Sequence, residues 1–119
     1  MFGFGKKVEI KKKNINEVYD ICEKDPSHHV IICADEQKEY DALRIPGAEC
    51  LPLRLMKDIE EFYPDKDITY YVYAINFAIS ERAYKIMAKK GYKVYDLGSF
   101  LDYKGYEEGM NARRKKRKR

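Results

Sequence analysis

No tryptophan occurs in this sequence, and cysteine is scarce: the three present, Cys22, Cys33 and Cys50, are an odd number with no Cys-x-x-Cys spacing. That excludes a disulfide scaffold and a zinc ribbon. No apolar run is long enough to span a membrane. The opening MFGFGKKVEIKKK has no apolar stretch of the signal-peptide kind. The expectation is a reduced, cytoplasmic protein with free thiols and no cofactor. The most informative absence is local. The stretch YVYAINFAISERA (71–83) runs from an apolar strand into a helix, and the turn from Ala74 to Ile79 has no glycine, no cysteine and no basic residue.

What is present is a globular composition. The chain has 119 residues, 45% of them hydrophobic, with 11 tyrosines and 5 phenylalanines. One domain with its own core is the natural reading. The net charge of +4 hides an asymmetry, because the closing ARRKKRKR (112–119) holds seven of the 24 basic side chains. Without those seven, 17 basic residues face 20 acidic ones, so the body carries about −3. This divides the chain into a folded region, 1–109, and a basic, disordered tail, 110–119.

The hydrophobic pattern alternates strands with helices. Val8–Ile10 reads as a short strand. Asn14 stands as an N-cap with Glu17 at capping-box spacing, ahead of Ile15, Val18 and Cys22 on one helical stripe. Val30–Cys33 is an apolar run of the kind buried on both faces. Glu36–Leu43 is a short helix, Ile45–Ala48 a turn, Glu49–Leu51 a brief strand, and Leu53–Phe62 a helix. Ile68–Tyr73 is a β-branched and aromatic strand. Ile79–Lys90 is a helix with Ile79, Ala83, Ile86 and Met87 inward and Gly91 as its left-handed cap. Lys93–Leu97 is the last strand, and Gly98–Tyr103 adds a helical turn. Such alternation implies a parallel sheet, because parallel strands need crossover connections. Ligands in such sheets sit beyond the carboxyl ends of the strands, which places the 74–79 turn first among candidate sites.

Two segments carry a family resemblance. VIICADEQKEYDALRIPGAECLPL (30–53) resembles the first signature of single-domain rhodaneses in its Glu39-Tyr40 and Ile45-Pro46-Gly47-Ala48 elements. GYKVYDLGSFLDYKG (91–105) resembles the family's closing segment. The resemblance covers residues 8–109. It implies a rhodanese-like α/β three-layer sandwich, with a central five-stranded, mainly parallel sheet and helices on both faces. It also implies a sulfurtransferase loop beginning with a catalytic cysteine, of the form Cys-Arg-x-Gly-x-Arg-Ser. Against that pattern Ala74 occupies the nucleophile position, Ile75 and Ile79 replace the arginines, and Phe77 replaces the glycine. Asn76 and Ala78 fill the variable positions, and only Ser80 is kept. Cys33-Ala34-Asp35 stands where the family has Asp-x-Arg, and Leu43-Arg44 where it has Gly-His. A thiolate needs nearby positive charge or N–H donors. Nucleophile and charges are absent together, so the expectation is a pseudoenzyme, a binding or regulatory module with a partner at loop 74–79.

Other readings stay open. Cys33 ends the strand beside the old nucleophile position and is a candidate relocated thiol for sulfur transfer, set against a buried, inert cysteine. The basic residues Arg113, Arg114, Lys115, Lys116, Arg117, Lys118 and Arg119 are candidates for binding nucleic acid or another polyanion through phosphates. His28 and His29 read as a solvated loop lacking a third metal ligand. Asp35, Glu36, Glu39 and Asp41 read as the solvated acidic face of a short helix.

Overall fold

The computed structural model describes residues 9–114. Four strands form one sheet: β1 (His29–Cys33), β2 (Glu49–Cys50), β3 (Thr69–Ala74) and β4 (Lys93–Ser99), in the order β2-β1-β3-β4. Every pair among them is parallel. The helices are α1 (Val18–Lys24), α2 (Gln37–Ala42), α3 (Ile59–Phe62) and α4 (Phe77–Lys89). A 3₁₀ segment, Leu53–Asp58, leads into α3, and a second, Phe100–Asp102, follows β4.

β3 lies between β1 and β4 with its last five residues buried. Strand side chains alternate between faces, and each face of β3 has its own core. Tyr70, Val72 and Ala74 pack with Met56, Ile59, Ala83 and Met87 from the α3–α4 side. Tyr71 and Tyr73 pack with Val18, Ile45, Leu97 and Phe100 on the other, to which Tyr40 and Leu43 of the α2 region add. Helices therefore cover both faces, as expected of a parallel sheet.

The sheet has four strands among the described residues, where five were expected. Val8 lies outside the described residues, and Glu9 and Ile10 are in no strand. The chain instead touches the sheet edge through one parallel bridge, Lys12 to Asp96. Asp96 N–H donates to Lys11 O at 2.8 Å, and Lys13 N–H donates to Asp96 O at 3.2 Å. Lys11-Lys12-Lys13 cannot enter a core unpaired, so the pairing stops at this one rung.

Other differences concern phase and caps. α1 begins at Val18, not after Asn14. The Asn14 side chain accepts from Asn16 N–H at 2.9 Å, making a turn that precedes the helix. The long helix expected over 53–62 is 3₁₀ for its first six residues. α4 starts at Phe77, with Asn76 as N-cap. Its inward stripe is Ser80, Ala83, Tyr84 and Met87, while Ile79 and Ile86 are half-buried. Gly91 has φ +89 after the last turn, the left-handed cap.

After the second 3₁₀ turn the chain folds back over α2 as a strap. Arg44 and Glu108 exchange backbone hydrogen bonds, both at 2.9 Å. Met110 N–H donates to Asp41 O at 3.2 Å and Asn111 N–H to Ala42 O at 2.7 Å. Gly109 makes this possible. Its φ is +115, and a Cβ there would lie 2.5 Å from the Ala42 carbonyl oxygen. Gly109→Ala is expected to lower stability by about 1–3 kcal/mol, read as a shifted urea midpoint. An unchanged midpoint would show that the strap contributes nothing to the folded state.

Candidate functional site

β1 and β3 are neighbours, yet the chain leaves them toward opposite faces: α2 follows β1 on one side and α4 follows β3 on the other. This is a topological switch point, and the crevice beyond such carboxyl ends is where ligands bind in α/β sheets. Two short connections meet here, Ala34–Glu36 after β1 and Ile75–Asn76 after β3.

The turn after β3 is closed by its own groups. Ala74 is the last residue of β3 and fully buried. The Asn76 side chain accepts from Ala78 N–H at 2.8 Å, and the N–H groups of Ile79 and Ser80 donate to Asn76 O at 3.0 and 3.3 Å. The N–H of Ile75 donates to Asp35 Oδ2 at 2.9 Å, and Ser99 Oγ–H donates to Ile75 O at 2.6 Å. The N–H groups of Ile75, Ala78 and Ile79 are thus already engaged, and that of Ser80 makes the first i→i−4 bond of α4.

Asp35 is the residue that sequence reasoning placed wrongly. Of the four acids read as a solvated face, Glu36 pairs with Arg54 at 2.9 Å and Asp41 accepts from Gln37 at 2.8 Å. Asp35 instead turns inward across the crevice to Ile75. Burial pushes its carboxyl pKa up, with the Ile75 N–H opposing the shift. The bond joins residues 40 positions apart, so no local pattern announces it.

The apolar side chains of the turn form a surface, not a plug. Phe77 is 67% exposed and Ile75 36% exposed. Ser99 extends the patch, since its Oγ, bonded to Ile75 O, also accepts from Leu101 N–H at 3.0 Å, and Leu101 is 77% exposed. Ala78 and Ile79 are half-buried behind it. Ser80 points into the core. Its hydroxyl is fully buried and donates to Asp96 Oδ1, which also accepts from Gly98 N–H at 2.9 Å. The one loop residue kept from the family pattern thus ties α4 to β4.

Cys33 is buried at 1% exposure, with its sulfur 3.5 Å from Asp35 Oδ2. Burial first, and the Asp35 charge with it, drive its thiol pKa far up, the reverse of what a nucleophilic thiol needs. Burial likewise pushes Cys22 and Cys50 up to about 11. Arg44, at the family's histidine position, lies over the Tyr40 ring at 4.9 Å and faces Glu108 at 3.7 Å. His28 Nδ1 is 3.0 Å from Asp25, and His29 Nδ1 is 3.0 Å from the Tyr71 hydroxyl. Among the described residues no group of three His, Cys, Asp or Glu side chains is placed to hold a metal. Arg113 and Arg114 are at the surface, while Lys115, Lys116, Arg117, Lys118 and Arg119 lie outside the described residues.

Two measurements test this geometry. A surface Phe77 predicts that Phe77→Asp shifts stability by less than about 0.5 kcal/mol, whereas a pocket-filling phenylalanine would cost about 3–5 kcal/mol. The raised pKa of Asp35 means that its ionisation disfavours the folded state. Its favourable contribution is present below the unfolded carboxylate pKa and is lost as pH rises through the folded one. Asp35→Asn keeps an acceptor for Ile75 N–H. It is expected to raise the melting temperature at pH 7 and to match the wild type near pH 3. A lower melting temperature at pH 7 would overturn the assignment.

No protein-family model matches the sequence, and no curated protein matches it. Solved structures do. The chain is similar to the BH2092 protein of Bacillus halodurans at 17% identity, with a TM-score of 0.74 over 86% of this chain and 79% of that one. It is similar to the rhodanese-like domain of the Alr3790 protein of Anabaena sp. at 18% identity, with a TM-score of 0.73 over 87% and 82%. It is also similar to a rhodanese with anions from E. coli at 26% identity, with a TM-score of 0.62 over 68% of this chain and 98% of that one. With its parallel sheet, its helices on both faces and these neighbours, the chain has the fold of the rhodanese-like domains.

Proposed function

We propose that this chain is a rhodanese-like domain without sulfurtransferase chemistry, serving as a binding module through the apolar patch at the carboxyl end of its sheet. What supports this reading is Ala74, fully buried where the resemblance would place the nucleophile, followed by a turn whose Ile75 N–H is taken by the carboxylate of Asp35. A persulfide-forming cysteine needs a low thiol pKa, supplied by cations or free N–H groups. Here a half-buried carboxyl group and a capped helix start occupy that place. The relocated-thiol alternative through Cys33 is disfavoured by the burial of that thiol and by its carboxylate neighbour.

Exposed Phe77, Ile75 and Leu101 give the patch a large aromatic anchor with aliphatic flanks, the kind of group that dominates binding at protein interfaces. The expected outcome with thiosulfate and cyanide is no thiocyanate turnover and no persulfide mass adduct, for the wild type and for Ala74→Cys. In the variant the new thiol would sit buried at the end of β3, one residue before the Ile75 N–H that Asp35 holds. Turnover by the wild type that is lost in Cys33→Ser would overturn the proposal in favour of the relocated thiol. Turnover by Ala74→Cys alone would show that the cradle survives around an exchanged nucleophile.

A further inference from the structure

Sheet register sets two of the three thiols side by side. Cys33 is the last residue of β1 and Cys50 the last of β2, and the two are direct partners in the parallel pairing. Neighbouring strands lie about 4.8 Å apart, inside the Cα separation of about 4.4–6.8 Å that a disulfide spans. The two side chains share a face. Glu49, one residue before Cys50, accepts from the Tyr63 hydroxyl at 2.7 Å, and Tyr63 packs with the α3–α4 core. Alternation along β2 then turns Cys50 to the opposite face, where Cys33 packs with Ile45 and Tyr73.

Both sulfurs also meet one residue. The Cys33 thiol donates to Asp35 Oδ2 at 3.5 Å, and the Cys50 thiol donates to Asp35 O at 3.5 Å. Their exposure differs. Cys33 is buried, whereas Cys50 is half-buried on the edge strand of the sheet. A reagent in solution therefore reaches Cys50 and not Cys33. Cys22 stands on α1, outside this pairing.

We infer that Cys33 and Cys50 form a reversible redox pair, closed by a low-molecular-weight disulfide and acting on Asp35 at the crevice. Cys50 reacts first. Its thiolate attacks one sulfur of the reagent RSSR, giving a Cys50–S–SR mixed disulfide and releasing RS⁻. Cys33 then attacks Cys50 Sγ from within the fold, so it needs no access to solvent. The Cys33–Cys50 bond forms, the Cys50–SR bond breaks, and the second RS⁻ leaves. The two thiol protons go to the two released thiolates. The protein loses two electrons and two protons, and RSSR becomes two RSH. Closure removes both S–H donors from Asp35, whose carboxyl group keeps the Ile75 N–H. The redox state of the pair thus reaches the turn that leads into Phe77. The pair does not depend on the absence of sulfurtransferase chemistry.

The test is intact-mass spectrometry of the full chain in native buffer with glutathione disulfide, then peptide mapping with free thiols blocked. The wild type is expected to lose two hydrogens, about 2 Da, with Cys33 linked to Cys50, and to regain them with a dithiol reductant. Cys22→Ser should behave the same. Cys33→Ser and Cys33→Ala should each stop at one glutathione on Cys50, and Cys50→Ser should leave Cys33 unmodified. Burial, and the Asp41 carboxylate after it, raise the Cys50 thiol to about 11. Closure should therefore quicken about tenfold per pH unit between about pH 7 and 9. The Ile75 amide resonance should shift on closure. Any of five results would overturn the inference: no reaction at about pH 9, a lasting glutathione adduct on wild-type Cys50 without linkage, a linkage through Cys22, a linkage formed only in denaturant, or an Ile75 amide unmoved by closure.

Discussion

Strand β3 is buried on both faces along TYYVYA, and three of its six residues are tyrosines. Each buried hydroxyl needs a partner in the interior, and each partner fixes a neighbouring segment. Tyr70 donates to Asp65 O at 2.7 Å and holds the charged turn before the strand. Tyr71 meets His29 at the start of β1. Tyr73 accepts from Ile45 N–H at 3.1 Å and seats the Ile-Pro-Gly-Ala turn beneath the sheet. The central strand thus positions loops at both of its ends. An apolar strand of the same volume would fill the core equally well but leave those loops unanchored.

At the carboxyl end of this strand the crevice accommodates an internal anion. A switch point offers backbone N–H groups to a negative ligand. Here the Asp35 carboxyl group takes one of them, and the Asn76 side chain and carbonyl take those of Ala78 and Ile79. Binding an external anion would mean displacing Asp35 and leaving a second negative charge close by. The group is held in an environment that raises its pKa, so the arrangement trades some stability at neutral pH for a closed crevice. What faces solvent after that closure is hydrocarbon, from Ile75, Phe77 and Leu101.

Much of the fold was legible because β1, β3 and β4 are apolar runs separated by amphipathic segments. The misreadings have specific physical causes. Of the first expected strand, Val8–Ile10, Val8 lies outside the described residues and Glu9 and Ile10 pair with no strand; the chain meets the sheet two residues later, at Lys12, among lysines. The inward stripe of α4 was mis-phased by choosing apolar residues: Ser80, Ala83, Tyr84 and Met87 keep i, i+3, i+4, i+7 spacing, but their first member is polar and satisfied by Asp96. The start of α4 was readable from Asn76, a strong N-cap type, which was read as lying inside the 74–79 turn. The Asp35–Ile75 bond is long-range, and only the folded chain makes it.

The signature residues that survive are those with a role in folding. Tyr40 donates its hydroxyl to Ala48 O and closes the Ile-Pro-Gly-Ala turn, in which Gly47 takes φ +83. Ser80 joins α4 to β4. Gly91 caps α4. The positions at which the chain differs from the resembled pattern are Ala74, Ile75, Phe77, Ile79, Arg44 and Cys33. Arg44 keeps a charge but spends it on Tyr40 and on Glu108 of the strap. What the core does not demand is concentrated at Phe77, Ile75 and Leu101, whose side chains face solvent where the turn's backbone is already tied to Asp35 and Ser99.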